Sequence, residues 1–285
     1  KTFSQLSKLI AILVLISFLL LSCSQPSTEL PIITVTFQAT ATENFVPVVL
    51  KDAREMVIFS YEEDGYAHLF AYMPEKMPLT RLTAGDWDDI TPAASPDGEK
   101  IAFASNRRGF WDLYLMDLSS GVVTQLTDTP EYEGAPTWSP DGSFLAFEAY
   151  EDDNLNVIVG SADDPLKDPI RLTASPASDH SPAWAPDGRH IAFISDGEVI
   201  LADLDKTDNN RFQNLSNTES AAESHPVWSP DGKRLAWASS SQSVGRSGIY
   251  VWDSSRNVPA VWVGEGDWPA WNPSGDQIIT TLAAP

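Results

Sequence analysis

The chain has 285 residues, of which 40 are acidic and 18 are basic, so its net charge is −22 at pH 7. This acidic excess argues against nucleic-acid binding, because contacts to phosphates need Lys and Arg. The negative charge is explained either by the solubility that an exported protein needs or by binding to a cationic partner. A single cysteine, Cys23, excludes an internal disulfide.

Residues 1–22 are predicted to be a lipoprotein signal peptide. Lys1 and Lys8 supply positive charge, and residues 9–21 are almost wholly apolar. This apolar run is shorter than the roughly 20 residues that a membrane-spanning helix needs. Residues 20–23, Leu-Leu-Ser-Cys, resemble a bacterial lipobox, which implies that Cys23 carries the lipid. An uncleaved anchor helix is the alternative, and both interpretations place the rest of the chain outside the cytoplasmic membrane.

Two further regions follow the leader. Residues 23–44 are rich in Ser, Thr and Pro, which is typical of a flexible tether. Residues 45–285 are predicted to form one domain with a sizeable core. Residues 32–37 and 45–50 are candidate β-strands that pair elsewhere in the fold.

A repeat dominates the domain. Pro-Asp-Gly occurs four times and is followed by a Pro-Ser-Gly variant, with 43–46 residues between copies; the prolines are Pro96, Pro140, Pro186, Pro230 and Pro273. Proline and glycine suit a tight turn, and apolar runs flank each copy. The two runs on either side of a turn are predicted to be paired strands, and two more short strands follow them. Four antiparallel strands in one period are typical of a propeller blade.

The two ends of the repeat array are incomplete. Residues 56–83 match the later strands of a unit without the leading turn motif, and residues 269–282 match only the first two strands. Counting shared ends, we predict an all-β, six-bladed propeller of four-stranded antiparallel blades. N-terminal strands would close the ring beside residues 270–282. A shortened C-terminus is the alternative explanation.

The repeated pattern W-S-P-D-G-x-x-I-A-F, with residues 105–121 after its first copy, resembles the WD-like repeat of TolB-type propellers. The resemblance covers roughly residues 55–282. It implies a TolB-like β-propeller fold and a place in the bacterial periplasm.

Acidic residues recur in the loop before each inner strand's proline. They are Asp89, Glu133, Asp179 and Glu223, three places before it, and Asp267, two places before it. Propeller symmetry would gather these carboxylates around one channel mouth, where they would bind a cation or a basic peptide. The alternative is that each carboxylate accepts backbone N–H bonds within its own loop.

Histidine and tryptophan also occur in these loops. His180 and His225, with Asp179 and Glu223, would make a metal site with nitrogen and oxygen ligands, although solvent-facing histidines are the alternative. Trp87 and Trp268 are candidates for contacting a partner, and packing over their own blades is their alternative. Four further tryptophans share one repeat position, which predicts packing between blades; they are Trp138, Trp184, Trp228 and Trp271.

Motifs of catalysis are missing from the sequence: it contains no Gly-x-Ser-x-Gly, His-Glu-x-x-His or glycine-rich phosphate loop. We therefore predict a monomeric, lipid-anchored, extracytoplasmic propeller that binds a protein, peptide or glycan of the cell envelope without catalysis. No cofactor is expected apart from the cation considered above. The alternative is the propeller portion of a prolyl-oligopeptidase-like peptidase, or a metal-dependent lyase.

Overall fold

The computed structural model describes residues 32–33, 56–73, 76–208, 210–218, 221–241 and 246–282. The predicted signal peptide, Cys23, and most of the predicted tether lie outside these ranges. Every regular element in the described part is a β-strand. Within the described residues, no helix is long and apolar enough to cross a membrane.

Short antiparallel strands form the blades. A two-residue strand, β1 (Ile32–Ile33), precedes a three-stranded first blade of β2 (Val57–Glu63), β3 (Tyr66–Met73) and β4 (Met77–Arg81). The second blade contains β5 (Asp89–Ala94), β6 (Lys100–Ser105), β7 (Asp112–Asp117) and β8 (Val123–Gln125). The third contains β9 (Glu133–Trp138), β10 (Phe144–Glu151), β11 (Asn154–Ser161) and β12 (Ile170–Arg171).

The array continues with two more four-stranded blades and a hairpin. The fourth blade contains β13 (Asp179–Trp184), β14 (His190–Ser195), β15 (Glu198–Asp203) and β16 (Phe212–Asn214). The fifth contains β17 (Ala221–Trp228), β18 (Arg234–Ser241), β19 (Gly248–Asp253) and β20 (Val261–Gly264). The hairpin pairs β21 (Asp267–Trp271) with β22 (Ile278–Thr281). Consecutive first strands, from β5 to β21, contact one another and form the inner edge.

The prediction of six blades is wrong, because the structure has five. The terminal hairpin has two antiparallel strands, and its third partner is β1, which runs parallel to β22 with Ile32 opposite Ile278. In an antiparallel blade the strand beside β22 would run opposite to it. The N-terminal strand therefore joins the hairpin without completing a sixth four-stranded blade. The other candidate strand, residues 45–50, lies outside the described residues.

The Ser-Pro-Asp-Gly turns close by side-chain hydrogen bonds, as the third blade shows. Ser139 Oγ donates to Asp141 Oδ1 at 2.6 Å and accepts from the amide of Phe144 at 2.9 Å. Gly142 has a φ of 74°, a left-handed conformation that glycine adopts without a steric penalty. The hydrogen bond from Ser139 holds the pKa of Asp141 below its usual value. The predicted tight turn is confirmed.

Apolar side chains between consecutive blades form the core. The second strands supply its largest members at one repeat position, all nearly inaccessible to solvent: Phe103, Phe147, Phe193 and Trp237. Four separate clusters join each blade to the next, from the first blade to the fifth. Each blade is therefore stabilised mainly by burial against its neighbours.

The repeated tryptophans also pack between blades, as predicted. Trp138 Nε1 donates to the carbonyl of Ala93 in the preceding inner strand at 3.0 Å. Trp228 and Trp271 make the equivalent bond to Ala183 and Val227, at 3.1 Å each. The buried Nε1 of Trp184 has no partner. Three of the four indoles thus link neighbouring inner strands by a hydrogen bond.

This difference predicts unequal effects of one substitution. Trp138→Phe should lower the free energy of unfolding by about 1 kcal/mol more than Trp184→Phe, because both lose similar ring volume but only Trp138 loses a hydrogen bond. Urea unfolding of the two variants and the parent protein measures the difference. Equal losses would contradict a stabilising role for the indole hydrogen bond.

Candidate functional site

A strained backbone position recurs in the inner strands. Each of β5, β9, β13, β17 and β21 contains a register shift just before its proline. The residue preceding the proline has a φ of 45–53° in all five: Thr91, Ala135, Ser181, His225 and Trp268. A left-handed non-glycine residue costs about 1–3 kcal/mol, and a following proline disfavours helical conformations further. A β-bulge re-aims the side chain it carries. We call these five residues the inner-strand row.

Neighbouring members of the inner-strand row contact each other at both of its ends. Thr91 Oγ1 accepts a hydrogen bond from the amide of Ala135 at 3.3 Å. The rings of His225 and Trp268 are stacked, with centroids 3.5 Å apart and planes inclined by 26°. The repeated bulge therefore places side chains that are 43–44 residues apart in sequence side by side.

Asp267 holds the aromatic end of the row in place. Its Oδ1 lies 3.1 Å from Nδ1 of His225 and accepts the amide of Trp268 at 2.8 Å. Burial lowers the pKa of His225, and the charge of Asp267 opposes that effect. The Trp268 side chain remains 52% exposed. The result is a flat aromatic surface, open to solvent, beside a carboxylate.

A second acid, Glu148, supports the middle of the row. Glu148 Oε1 accepts the hydroxyl of Tyr132 at 2.6 Å, and its Oε2 accepts the amide of Ser181 at 2.7 Å. His180 Nδ1 lies 3.1 Å from Ser181 Oγ. After burial and Asp267, the charges of His180 and Glu148 also act on the pKa of His225, the first lowering it and the second raising it.

Sequence reasoning missed Glu148, although a signal was present. The second strands read IAFAS, LAFEA, IAFIS and LAWAS, and only the second of these places an acid at the fourth position. Its partner Tyr132 packs against Gly134, where a Cβ would lie 2.2 Å from the tyrosine oxygen. A glycine and an acid that depart from the repeat together indicate a local polar contact.

The four other predicted acids lie within their blades. Asp89, Glu133, Asp179 and Glu223 are all buried. Three accept a hydroxyl from the preceding loop: Glu133 from Thr129 at 2.5 Å, Asp179 from Ser175 at 3.2 Å, and Glu223 from Thr218 at 3.0 Å. Asp89 instead pairs with Arg107 at 2.8 Å. Their contact with a partner stays a prediction.

Burial changes the acidity of two of these groups. It raises the pKa of Glu133 to about 7, with a smaller contribution from nearby Asp112 and Glu131. It also raises the pKa of Glu223. Both glutamates keep Oε2 buried, and further hydrogen-bonding side chains lie near each carboxylate: Thr127 near Glu133 and Ser239 near Glu223. Their environment therefore differs from that of half-exposed Asp267.

Trp87 and Trp268 occupy different environments. Trp87 packs against Gly85, where a Cβ would overlap its ring, and lies 5.4 Å from the guanidinium carbon of Arg107. Its Nε1 is buried without a partner. Trp87 thus covers its own loop, whereas Trp268 faces solvent.

No group of three or more His, Cys, Asp or Glu side chains capable of holding a metal ion occurs in the part of the chain that the structure describes. In that part, Asp179 and Glu223 are buried and accept hydroxyls from the loops of their own blades. The predicted set of four ligands is not assembled around one point in the described residues.

Comparison with known proteins agrees with the repeat pattern. The family model of the TolB beta propeller domain matches residues 111–200. Over these residues the predicted TolB-type repeats are confirmed. The Tol-Pal system protein TolB of Francisella tularensis subsp. holarctica is 30% identical over 116 residues, which are 40% of this chain and 24% of that protein. The uncharacterized peptidase YuxL of Bacillus subtilis is 35% identical over 86 residues, 30% of this chain and 13% of that protein.

The fold of the chain is also similar to that of a solved structure. TolB from Acinetobacter baumannii superposes with a TM-score of 0.64 at 20% identity, over 80% of this chain and 58% of that one. Identity this low shows the fold alone. Because the matched segments are a minor part of both curated relatives, the activity and partners of this chain are matters for proposal.

Proposed function

We propose that this TolB-type propeller is an extracytoplasmic, non-catalytic binding protein whose inner-strand row contacts a protein or peptide of the cell envelope. One observation carries the proposal: Trp268 is exposed while its ring stacks on His225 and its backbone amide donates to Asp267, which also contacts His225. Because its conformation is already set, such a side chain loses little conformational entropy on binding.

The chemistry of this surface favours a cationic group on the partner. An indole face binds ammonium and guanidinium groups, and the adjacent carboxylate of Asp267 adds charge attraction. Tryptophan is enriched among residues that dominate binding energy. The net charge of −22 accelerates encounter with a basic partner. A glycan that stacks on the indole is the alternative ligand.

The extracytoplasmic location rests on two supports. The relatives include a protein of the Tol-Pal system. The sequence of residues 1–23 has the charge, apolar run and cysteine of a lipoprotein leader. Lipid attachment at Cys23, in the periplasm or at the cell surface, is therefore part of the proposal. Mass spectrometry of the protein purified from membranes tests it, since an unmodified Cys23 would contradict the anchor.

A second candidate function is the propeller portion of a peptidase. It is favoured by the 35% identity to the Bacillus subtilis peptidase over 86 residues. The mass of the native protein separates the two proposals, because a peptidase would need an additional hydrolase domain on the same polypeptide.

Trp268→Ala is expected to reduce capture of the envelope partner at least tenfold, because it removes the exposed aromatic anchor. Phe110→Ala is the matched control, since Phe110 is similarly exposed but lies outside the inner-strand row. Immobilised parent and variant domains are incubated with envelope extract, and retained proteins are quantified by mass spectrometry. A protein kept by the parent and by Phe110→Ala but lost by Trp268→Ala is the expected result. Equal retention by all three would contradict the proposed surface.

A further inference from the structure

The bulge in β13 removes the amide of Ser181 from the hydrogen-bonded ladder of its own blade. The register of β13 and β14 shifts between His180 and Ala183, and Ser181 lies inside that shift. A backbone N–H that leaves a ladder needs another acceptor, because an unpaired buried donor is unfavourable. The acceptor that Ser181 uses therefore determines how the middle of the inner-strand row is held.

A neighbouring member of the inner-strand row supplies such an acceptor in one case. The amide of Ala135 donates to Oγ1 of Thr91, one blade earlier, at 3.3 Å. Ala135 ends in a methyl group, so it cannot do the same for Ser181. Glu148, in the same blade as Ala135, accepts the Ser181 amide instead, through Oε2 at 2.7 Å. A hydrogen bond to a carboxylate is stronger than one to a hydroxyl, so Ser181 is held firmly.

Packing within the blade does not explain an acid at position 148. The equivalent positions of the second, fourth and fifth blades hold apolar residues that are nearly inaccessible to solvent: Ala104, Ile194 and Ala238. Glu148 is 8% accessible, and burying a carboxylate is unfavourable unless it is compensated. Because three blades form with an apolar side chain there, Glu148 must act outside the packing of its own blade.

Both oxygens of Glu148 accept hydrogen bonds from neutral donors. Oε1 accepts the hydroxyl of Tyr132 at 2.6 Å, and Oε2 accepts the amide of Ser181. None of the ion pairs among the described residues includes Glu148. The carboxylate is therefore fixed in orientation, and in that part of the chain its charge has no cationic partner. Salt screens a buried charge less than a charge on the surface.

The charge of Glu148 acts on the aromatic end of the inner-strand row. Burial lowers the pKa of His225, whereas Asp267 and, less strongly, Glu148 raise it. His225 in turn stacks on Trp268, with the ring centroids 3.5 Å apart. Negative charge that favours a proton on His225 also favours another cation placed beside these two rings.

We propose that Glu148 makes the inner-strand row selective for a cationic group and positions Ser181 within it. Its carboxylate fixes the Ser181 amide, and its charge adds attraction to that of Asp267 without direct contact with the ligand. The cationic group is a guanidinium or ammonium of the protein or peptide partner. This inference rests on the proposed function of the inner-strand row, and it assigns the selectivity of that surface to a buried residue.

Two small probes separate charge from shape. Nα-acetyl-arginine methylamide carries a guanidinium group, and Nα-acetyl-citrulline methylamide has a similar shape without the charge. The dissociation constants of both probes are measured by NMR from the line broadening of the probe signals, so that every variant is followed in the same way. We expect the parent protein to bind the arginine probe more tightly than the citrulline probe.

Two substitutions of Glu148 separate its charge from its hydrogen bond. Glu148→Gln keeps an oxygen that accepts the Ser181 amide and removes the charge. It should lower the preference for the arginine probe about two- to fivefold and leave citrulline binding within twofold. Glu148→Ala should weaken both probes, because Ser181 also loses its acceptor. Alanine occupies two of the equivalent positions, so this variant should fold.

Tyr132→Phe is the matched control. It removes one hydrogen bond to Glu148 and keeps the charge, so the preference for the arginine probe should stay within twofold of the parent protein. A preference that survives Glu148→Gln would overturn the role of the charge. Citrulline binding that survives Glu148→Ala would overturn the positioning of Ser181.

Trp268→Ala distinguishes a failure of this inference from a failure of the proposed function. If Trp268→Ala loses both probes while the Glu148 variants bind like the parent protein, the proposed surface stands and the role of Glu148 is wrong. If Trp268→Ala binds like the parent protein while Glu148→Gln loses the preference, Glu148 acts as proposed and the contact with Trp268 is wrong. A parent protein that binds neither probe would contradict both.

Discussion

Arg107→Ala is expected to lower the free energy of unfolding by about 3–5 kcal/mol, the usual result of removing one partner of a buried ion pair. Arg107 lies 2.8 Å from Asp89, whose side chain is inaccessible to solvent. Its Nε also donates to Ser105 Oγ at 3.0 Å. The guanidinium carbon is 4.7 Å from the ring of Tyr114. Without the guanidinium group of Arg107, the Asp89 carboxylate stays buried and its negative charge has no cationic partner.

Urea unfolding at pH 7 measures this loss, and Arg189→Ala is its control. Arg189 pairs with Asp205 on the surface, where both side chains are more than half exposed. An exposed pair contributes about 0–1 kcal/mol. If Arg107→Ala is no more destabilising than Arg189→Ala, then the Arg107–Asp89 pair is not the structural element that its geometry indicates.

The ion pair between Arg107 and Asp89 affects how strongly Asp89 can attract a partner. A carboxylate whose charge is balanced by Arg107 attracts a cationic partner less than an unpaired one does. Asp267, half-exposed beside Trp268, has no such permanent cation. Among the acids before the prolines, we therefore expect Asp267→Asn to weaken partner capture more than Asp89→Asn.

Glu133→Gln is expected to raise the free energy of unfolding at pH 8 by roughly 2–3 kcal/mol and to leave it unchanged near pH 4. Burial raises the pKa of Glu133 to about 7 from 4.5. The folded protein therefore holds a proton that the unfolded chain releases. Its contribution to stability is fully present below pH 4.5 and is lost as pH rises through 7. Glutamine carries no ionisable proton, so the variant escapes that loss.

Thermal or urea unfolding of parent and variant between pH 4 and 9 measures this effect. Glu131→Gln is the control, because Glu131 is exposed and close to Glu133. The stability difference between Glu133→Gln and the parent should grow from pH 4.5 to 7 and then level off. A difference independent of pH would show that the carboxylate of Glu133 titrates normally.

The sign of this stability effect distinguishes Glu133 from a carboxylate that stabilises the fold. A purely structural carboxylate would lose stability when replaced. A charge held at the expense of stability is typical of a functional site.

Local chemistry in the sequence was sufficient to predict the blade. Pro-Asp-Gly turns at a constant spacing specify where strands reverse, and alternating apolar residues specify which faces pack. The position of Trp138 and its equivalents identified the contact between blades, because a residue repeated in every unit reflects packing that every unit shares. These features depend on neighbours within one repeat or the next, so one period of sequence contains them.

Only the tertiary structure decided the features that depend on distant chain segments. The direction in which Ile32 and Ile33 pair with β22 set the blade number at five, and no residue in either segment specifies that direction. The contact of His225 with Trp268 joins two repeats through left-handed bulges. Whether an acid faces solvent, as Asp267 does, or the blade interior, as Glu133 does, depends on a one-residue offset at that bulge. A periodic sequence determines its repeating unit, whereas the differences between units arise where separate units meet.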